Sequence, residues 1–338
     1  MRTAFDVFSG CGGLTLGLRQ AGFRVVGAVD LDHLAVAAYR SNHEGVATWC
    51  RDVRDLDGRT IRERLALMKG QLDLLAGCPP CQGFSTLRTL NGAREVGDKR
   101  NDLVFEFLRL VRDLEPKAIM LENVPGLGTD GRMARFSDQL TDLGYAHSWR
   151  VLNAADYGVP QNRRRLILLG SRRGPIDFAE PLAERATVRS AIGKLTSAGE
   201  SGDALHDLPE QRSPKVRALI RKIPKDGGGR LDLEESDQLP CHQGFTGFKD
   251  VYGRMAWDQP APTITSGCHN PSKGRFLHPT EDRAITLREA ALLQGFPPSY
   301  CFPRRGGKLA LAALIGNALP PAFVCSHALR VAKHLSQR

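Results

Sequence analysis

The first thirty residues restrict the fold more than any later stretch. An apolar run, Ala4-Phe5-Asp6-Val7-Phe8-Ser9, reads as a buried strand and stops at Gly10-Cys11-Gly12-Gly13. A helix then runs from Leu14 to Ala21 and is closed by Gly22, which accepts the left-handed backbone found at helix ends. A second apolar run, Arg24 to Val29, terminates in Asp30-Leu31-Asp32. Strand, glycine turn, helix and strand form the opening unit of a doubly wound α/β sheet with helices on both faces. In such a sheet a nucleotide-like ligand sits over the first helix N-terminus. The dinucleotide fingerprint G-x-G-x-x-G fails because its third glycine would fall at Thr15. That argues against NAD and leaves room for another adenosine-containing ligand. An acid at the end of the second strand is placed to take both ribose hydroxyls. One of Asp30 and Asp32 is expected instead to cap the helix Leu34–Asn42. The turn Cys50-Arg51-Asp52-Val53-Arg54 offers Asp52 to an adenine amine, or is an ordinary acidic loop.

A second strand end carries candidate chemistry. The run Leu72–Ala76 leads into Gly77-Cys78-Pro79-Pro80-Cys81-Gln82-Gly83-Phe84-Ser85, followed by a polar loop (86–98) and a helix, Leu103–Leu114. A cysteine at a strand mouth, held by two prolines, suits a nucleophile; a redox pair, half a zinc site or two ordinary thiols are the alternatives. Lys117–Leu121 is a further strand, delivering Glu122-Asn123-Val124-Pro125-Gly126. Glu122, beside apolar neighbours and a proline turn, is either a carboxylate of raised pKa or a solvated turn residue. A hairpin of Tyr145–Leu152 and Arg165–Gly170 has Gln161-Asn162-Arg163-Arg164-Arg165 in its connection. The last arginine should point inward, where its planar fork suits a base carbonyl or a carboxylate; a basic surface loop is the alternative.

The 338 residues suffice for two domains, expected as 1–171 and a glycine-, proline- and charge-rich region from 172 to 308 with short strand-like runs. Helical periodicity returns at Leu287–Gln294 and Leu309–Ile315, and after Gly316–Pro321 a last helix covers Ala322–Leu335. Residues 309–338 are expected to return to the first domain. No apolar run approaches a membrane span, no signal peptide is read at the start, and eight irregularly spaced cysteines fit free thiols in a cytoplasmic, nucleoid-associated monomer. The net charge of +10, clustered at 163–173, 212–225 and 304–308, suits a polyanionic partner or a solvated surface. Arg88, Arg94, Lys99 and Arg100 would meet phosphates if the loop after Cys81 closed over nucleic acid. Cys241-His242 and Cys268-His269 lack the spacing of zinc fingers, so no metal is expected.

Taken together, these stretches resemble the DNA cytosine-C5 methyltransferases over nearly the whole chain outside the variable region. The likeness is carried by Asp6–Gly13, Pro80–Ser85, Glu122-Asn123-Val124, Gln161–Arg165, Arg288-Glu289 with Gln294–Pro297, and Gly316-Asn317-Ala318. It implies a Rossmann-like sheet binding S-adenosyl-L-methionine, a smaller irregular target-recognition domain, and double-stranded DNA whose target cytosine is flipped out of the stack. By the same likeness Cys81 is the nucleophile that adds to C6, Glu122 binds and protonates N3, Arg165 takes O2, and Arg163 helps hold the base and the loop. The cofactor falls to Phe8, Gly10, Cys11, Gly12, Gly13, Asp30, Leu31, Asp52, Val53 and Asn317, and DNA contacts to Gln82, Ser85, Arg88, Arg100, Gln161 and Thr263. Cys78 becomes a packing residue. A separately acting restriction endonuclease fits the family. A tRNA methyltransferase and a silent DNA-binding module are the competing readings; intact Cys81, Glu122 and Arg165 speak against the second, and the large 172–282 region against the first.

Overall fold

The computed structural model describes residues 1–80, 102–244, 247–303 and 305–337. The chain forms two compact units: Met1–Tyr157 with Arg164–Pro181 and Leu319–Arg338, and Gly158–Arg163 with Leu182–Ala318.

The first unit holds seven strands: β1 (Thr3–Val7), β2 (Arg24–Asp30), β3 (Ala47–Cys50), β4 (Leu74–Gly77), β5 (Ala118–Asn123), β6 (Ala146–Asn153) and β7 (Arg164–Ser171). Their spatial order is β3-β2-β1-β4-β5-β7-β6. The first five run parallel, while β7 pairs antiparallel with both β5 and β6. Every residue of β4 and β5 is buried, as the central strands of a sheet covered on both faces must be. Its helices are α1 (Gly13–Gln20), α2 (His33–Asn42), α3 (Gly58–Leu65), α4 (Leu103–Leu114) and α5 (Gly131–Asp142). Phe5, Val7, Leu75, Ile119 and Leu121 point to one face, where they meet Ile61, Phe107, Val111 and Phe136 in a single core. Asp6, alternating to the other face, meets Thr15 of α1. The last helix of the chain (Pro321–Ser336) lies against α1 at Gly17, where a Cβ would stand 2.5 Å from the Pro321 carbonyl and from Val324. Only glycine allows that approach. The order in which the chain lays down its strands reverses between β1 and β4, so the strand ends there form the crevice in which such sheets bind ligands.

The second unit is built otherwise. Its helices are α6 (Val188–Ile192), α7 (Pro214–Lys222), α8 (Leu287–Leu293) and α9 (Gly307–Asn317), and among the described residues four short 3-10 turns lie between α7 and α8. In place of the expected strand-like runs, its described residues make only isolated bridges, such as Arg254 with Leu277. The final helix, α10 (Pro321–Ser336), returns to the first unit.

Both expected boundaries shift. Residues 172–181 stay with the first unit because Phe178 packs on His327 of α10 and under Arg150. Residues 309–318 belong to the second, because the Gln294 amide donates to the carbonyls of Ile315 (2.6 Å) and Ala318 (3.3 Å). Contrary to the sequence expectation, Gly307–Ser336 is long and apolar enough to cross a membrane, with an 18-residue window of mean hydropathy 1.7. The physical reason is core packing: the stretch breaks into α9 and α10, and Leu311, Ile315, Phe323 and Val324 are buried within the units.

Candidate active site

Just past the end of β1 the backbone turns left-handed three times, at Phe8 (φ 64°), Gly10 (φ 54°) and Gly12 (φ 99°). A bulky residue rarely adopts that conformation, so Phe8 is a strained position held by its surroundings. The Asp30 carboxylate fastens this turn, accepting from the backbone N–H of Gly10 at 2.7 Å and of Asp32 at 2.9 Å. Burial raises its pKa. Asp32 is the cap of α2, accepting from Leu34 at 2.8 Å, so Asp30 alone remains for a ligand. Leu31 beside it is 63% exposed. Asp52 caps the 3-10 turn Val53–Asp55 and pairs with Arg54 at 2.6 Å, which holds its carboxyl below the ordinary range. Val53 is buried.

Below the turn, the Thr15 hydroxyl donates to Asp6 Oδ2 at 2.7 Å and lies 2.8 Å from the Tyr39 hydroxyl. Asp6 Oδ1 has no partner among the described residues. Burial pushes Asp6 up to about 8 and the buried Cys11 thiol up to about 12.

The ends of β4, β5 and β7 form the second half. Gly77 sits opposite Leu121 in register, which brings the next residues, Cys78 and Glu122, side by side. Arg165 reaches from the start of β7 and sets its Nε 2.8 Å from Glu122 Oε1. The two side chains are 16% and 11% exposed, so the charges meet largely out of water. Arg165 therefore points inward, as its position before an apolar strand predicts. The Cys78 thiol donates to the Glu122 carboxylate; burial first, and then that negative charge, push it well above its ordinary range. Cys78 is a neighbour of the carboxylate, not mere packing. Asn123, also buried, donates its amide to Pro79 O at 3.1 Å and ties the proline turn to β5. Cys81, Gln82, Ser85, Arg88 and Arg100 lie outside the described residues.

Two residues of the second unit need correction. Gln161, expected on DNA, is fully buried: its amide donates to Leu293 O (3.1 Å) and Gln294 Oε1 (2.8 Å) and accepts from Ile264 N (2.8 Å). Arg163, expected on the target base, donates to the carbonyls of Ile264 (3.0 Å) and Gly316 (3.1 Å). Both side chains brace the backbone of the second unit. Thr263 donates its hydroxyl to Asn162 O at 2.7 Å, and Asn317 ends α9 with an exposed side chain.

Residues 2–333 match the family of C-5 cytosine-specific DNA methylases. The chain belongs to that family. It is a DNA (cytosine-5-)-methyltransferase. It is 38% identical over 334 residues to the type II methylase M.HgiDII of Herpetosiphon aurantiacus, covering 94% of this chain and 91% of that protein. With the type II methyltransferase M.XorII of Xanthomonas oryzae the identity is 35%, over 98% and 85% of the two chains. The crystal structure of a DNA modification methyltransferase from an Escherichia coli prophage superposes over 100% of both chains with a TM-score of 0.71 at 24% identity, a likeness of fold.

Within this methylase, sequence reasoning missed the Asp6–Thr15–Tyr39 chain and the Cys78–Glu122 contact. Thr15 did leave a signal, since it occupies the place of the missing fingerprint glycine, and its hydroxyl is what reaches Asp6. Cys78 left none, because its partner is 44 positions away and set by strand register.

Proposed function

We propose that this methylase modifies C5 of a cytosine flipped out of double-stranded DNA, with Cys81 as nucleophile and Glu122 and Arg165 gripping the base. The observation that carries the reading is the Glu122–Arg165 pair, a carboxylate and a guanidinium 2.8 Å apart at adjacent strand ends, beside the Pro79-Pro80 turn that leads into Cys81. Cytosine C5 is too electron-poor to take a methyl group directly. The Cys81 thiolate adds to C6, forming an S–C bond, and the C5–C6 electron pair moves toward C5 as Glu122 gives a proton to N3. Arg165 donates to O2 and stabilises the charge that gathers on the ring. C5, now nucleophilic, accepts the methyl group. The C5 proton passes to water, its electrons re-form the C5–C6 double bond as the S–C6 bond breaks to release Cys81, and N3 returns its proton to Glu122.

The strand ends fit S-adenosyl-L-methionine, which supplies an electrophilic methyl group when bound. Asp30 offers a carboxylate to ribose hydroxyls, Leu31 and Phe8 offer apolar faces to adenine, and Asp52 offers an acceptor to its amine. Asp6 Oδ1, buried and without a partner among the described residues, adds a polar atom below the Gly10–Gly13 turn. Asn317 is assigned to the methionine portion, and the second unit to target recognition. The type II relatives support a role beside a separate restriction endonuclease.

The test mixes the protein with labelled S-adenosylmethionine and either plasmid DNA or bulk tRNA, and traps it on 5-fluorocytosine DNA. Label in DNA, with trapping abolished by Cys81→Ala, is the expected result. Label in tRNA alone, or trapping that survives Cys81→Ala, sinks the reading.

A further inference from the structure

We propose that the outer face of α7, through Lys215, Arg217 and Arg221, docks on the phosphate backbone of duplex DNA. This rests on the DNA-methylating reading above and adds where the second unit grips its substrate.

Between Arg212 and Lys225 the sequence has six cations and no acid. The structure divides them into two groups. Arg212 pairs with Glu210 and donates to His269 O, Lys222 pairs with Asp237, and Lys225 pairs with Asp282. Those three fasten the element in place. Lys215, Arg217 and Arg221 are exposed and have no acidic partner among the described residues. At 100° per residue they share the outer arc of the helix with Lys222, and Ala218 lies in the middle of that arc. The small side chain there leaves room for a close anionic surface. The opposite side is anchored, with Leu219 and Ile220 buried against Ile223, Tyr252 and Leu277. A fixed helix therefore presents an uncompensated basic face.

Part of that face works against the helix that carries it, although Arg221 stands in the last turn, where the dipole favours a cation. The first turn has no acid and places Lys215 at the positive end of the helix dipole, while Arg217 and Arg221 repel each other at i, i+4 spacing. Both costs vanish once an anionic surface lies alongside. From Lys215 to Arg221 the axis advances about 9 Å, and the same length of duplex carries about five phosphate charges. Arginine forks and a lysine ammonium suit phosphate oxygens without reading sequence.

The experiment compares wild type with Lys215→Gln/Arg217→Gln/Arg221→Gln, measuring fluorescence anisotropy of a labelled duplex between 50 and 200 mM salt. Equilibrium binding of S-adenosylhomocysteine and the methylated sequence in plasmid DNA are followed in parallel. Each lost phosphate contact lowers the log–log salt slope by about 0.9, so the triple variant should be shallower by roughly 2–3 and bind at least about tenfold more weakly. Cofactor affinity and target sequence should stay as in wild type. The single variants Arg217→Gln and Arg221→Gln, each shallower by about 0.9, carry the test should the triple variant fold poorly. A slope unchanged in triple and single variants, with wild type binding and methylating DNA, overturns the α7 proposal alone. Wild type that binds no duplex at all overturns both this proposal and the reading it rests on.

Discussion

Glu122 and Arg165, 43 residues apart in the chain, meet at 2.8 Å because β5 and β7 are antiparallel neighbours and both side chains leave their strands at the same edge. The pair is shielded, so removing one partner leaves the other's charge poorly solvated. Arg165→Ala should cost about 1–3 kcal/mol of stability, read by urea unfolding. In the proposed reaction Glu122→Gln loses the proton donor and should slow methyl transfer by about 10²–10⁴-fold. The double variant Glu122→Gln/Arg165→Ala should be less destabilised than the sum of the singles, since no orphaned charge remains. Strict additivity would show that the ion pair contributes nothing.

Cys78 supplies a second test of the same carboxylate. Its thiol donates to Glu122, so Cys78→Ala removes one hydrogen bond from the proposed acid, while Cys78→Ser keeps a donor. A thiol is a weak donor, so its hydrogen bond to this carboxylate is worth about a kcal/mol, which predicts a three- to tenfold fall in kcat for Ala, an unchanged KM for cofactor, and recovery in Ser. The pH profile of kcat should move with Ala and not with Ser. Equal losses in both variants would reduce Cys78 to a volume effect.

The first unit was legible where one local rule dominates. The strand–glycine turn–helix opening, the hairpin of β6 and β7, and the inward Arg165 all follow from periodicity and chain direction. What escaped depends on partners far away in sequence. Gln161 and Arg163 have the same chemistry facing a base or a carbonyl, and only the packed structure shows that they brace Gln294, Ile264 and Gly316. Helix α3 buries only Gly58 and Ile61, too thin a stripe to announce itself. In the second unit the local pattern is weak because arginines, not apolar repeats, hold much of it: the half-buried Arg275 donates to the carbonyls of Gly227, Gly228 and Arg254.

Asp6 should leave a mark on stability against pH. Its carboxyl titrates near 3.8 in an open chain and at about 8 in the fold, where burial disfavours the charge. Between those values the unfolded chain has released a proton that the folded chain keeps. The contribution is therefore full below about pH 3.8, shrinks as pH rises, and is gone above about pH 8. Asp6→Asn keeps an acceptor for Thr15 and removes the ionisation, so its unfolding free energy should be flatter across pH 5–8 and its Tm higher at pH 8. His43 and His327 act in the opposite sense. Burial depresses both to about 4, so their contribution is present above about pH 6.5 and is lost as pH falls toward 4. Urea titrations at pH 5, 6.5 and 8 separate the two. An Asn variant whose pH slope matches wild type would show that Asp6 is not the source.

Arg254 carries the last prediction. Its guanidinium is fully buried and donates to the carbonyls of Ile220 (2.8 Å), Ile223 (3.2 Å), His278 (3.0 Å) and Glu281 (2.5 Å), and to Asp282 (2.6 Å). It thus closes the C-terminal end of α7, where carbonyls lack helical partners and a cation is favoured, onto the 278–282 turn. Arg254→Met fills similar volume but strands those carbonyls, and Arg254→Lys cannot fork to so many. Both should destabilise the second unit by about 3–5 kcal/mol, seen as faster proteolysis within 210–282. Binding of S-adenosylhomocysteine should fall less than DNA binding, because Asp30, Asp52 and the glycine turn belong to the first unit. Equal proteolytic resistance in Arg254→Met would mean that the apolar cluster of Leu219, Ile220 and Tyr252 holds α7 without the arginine.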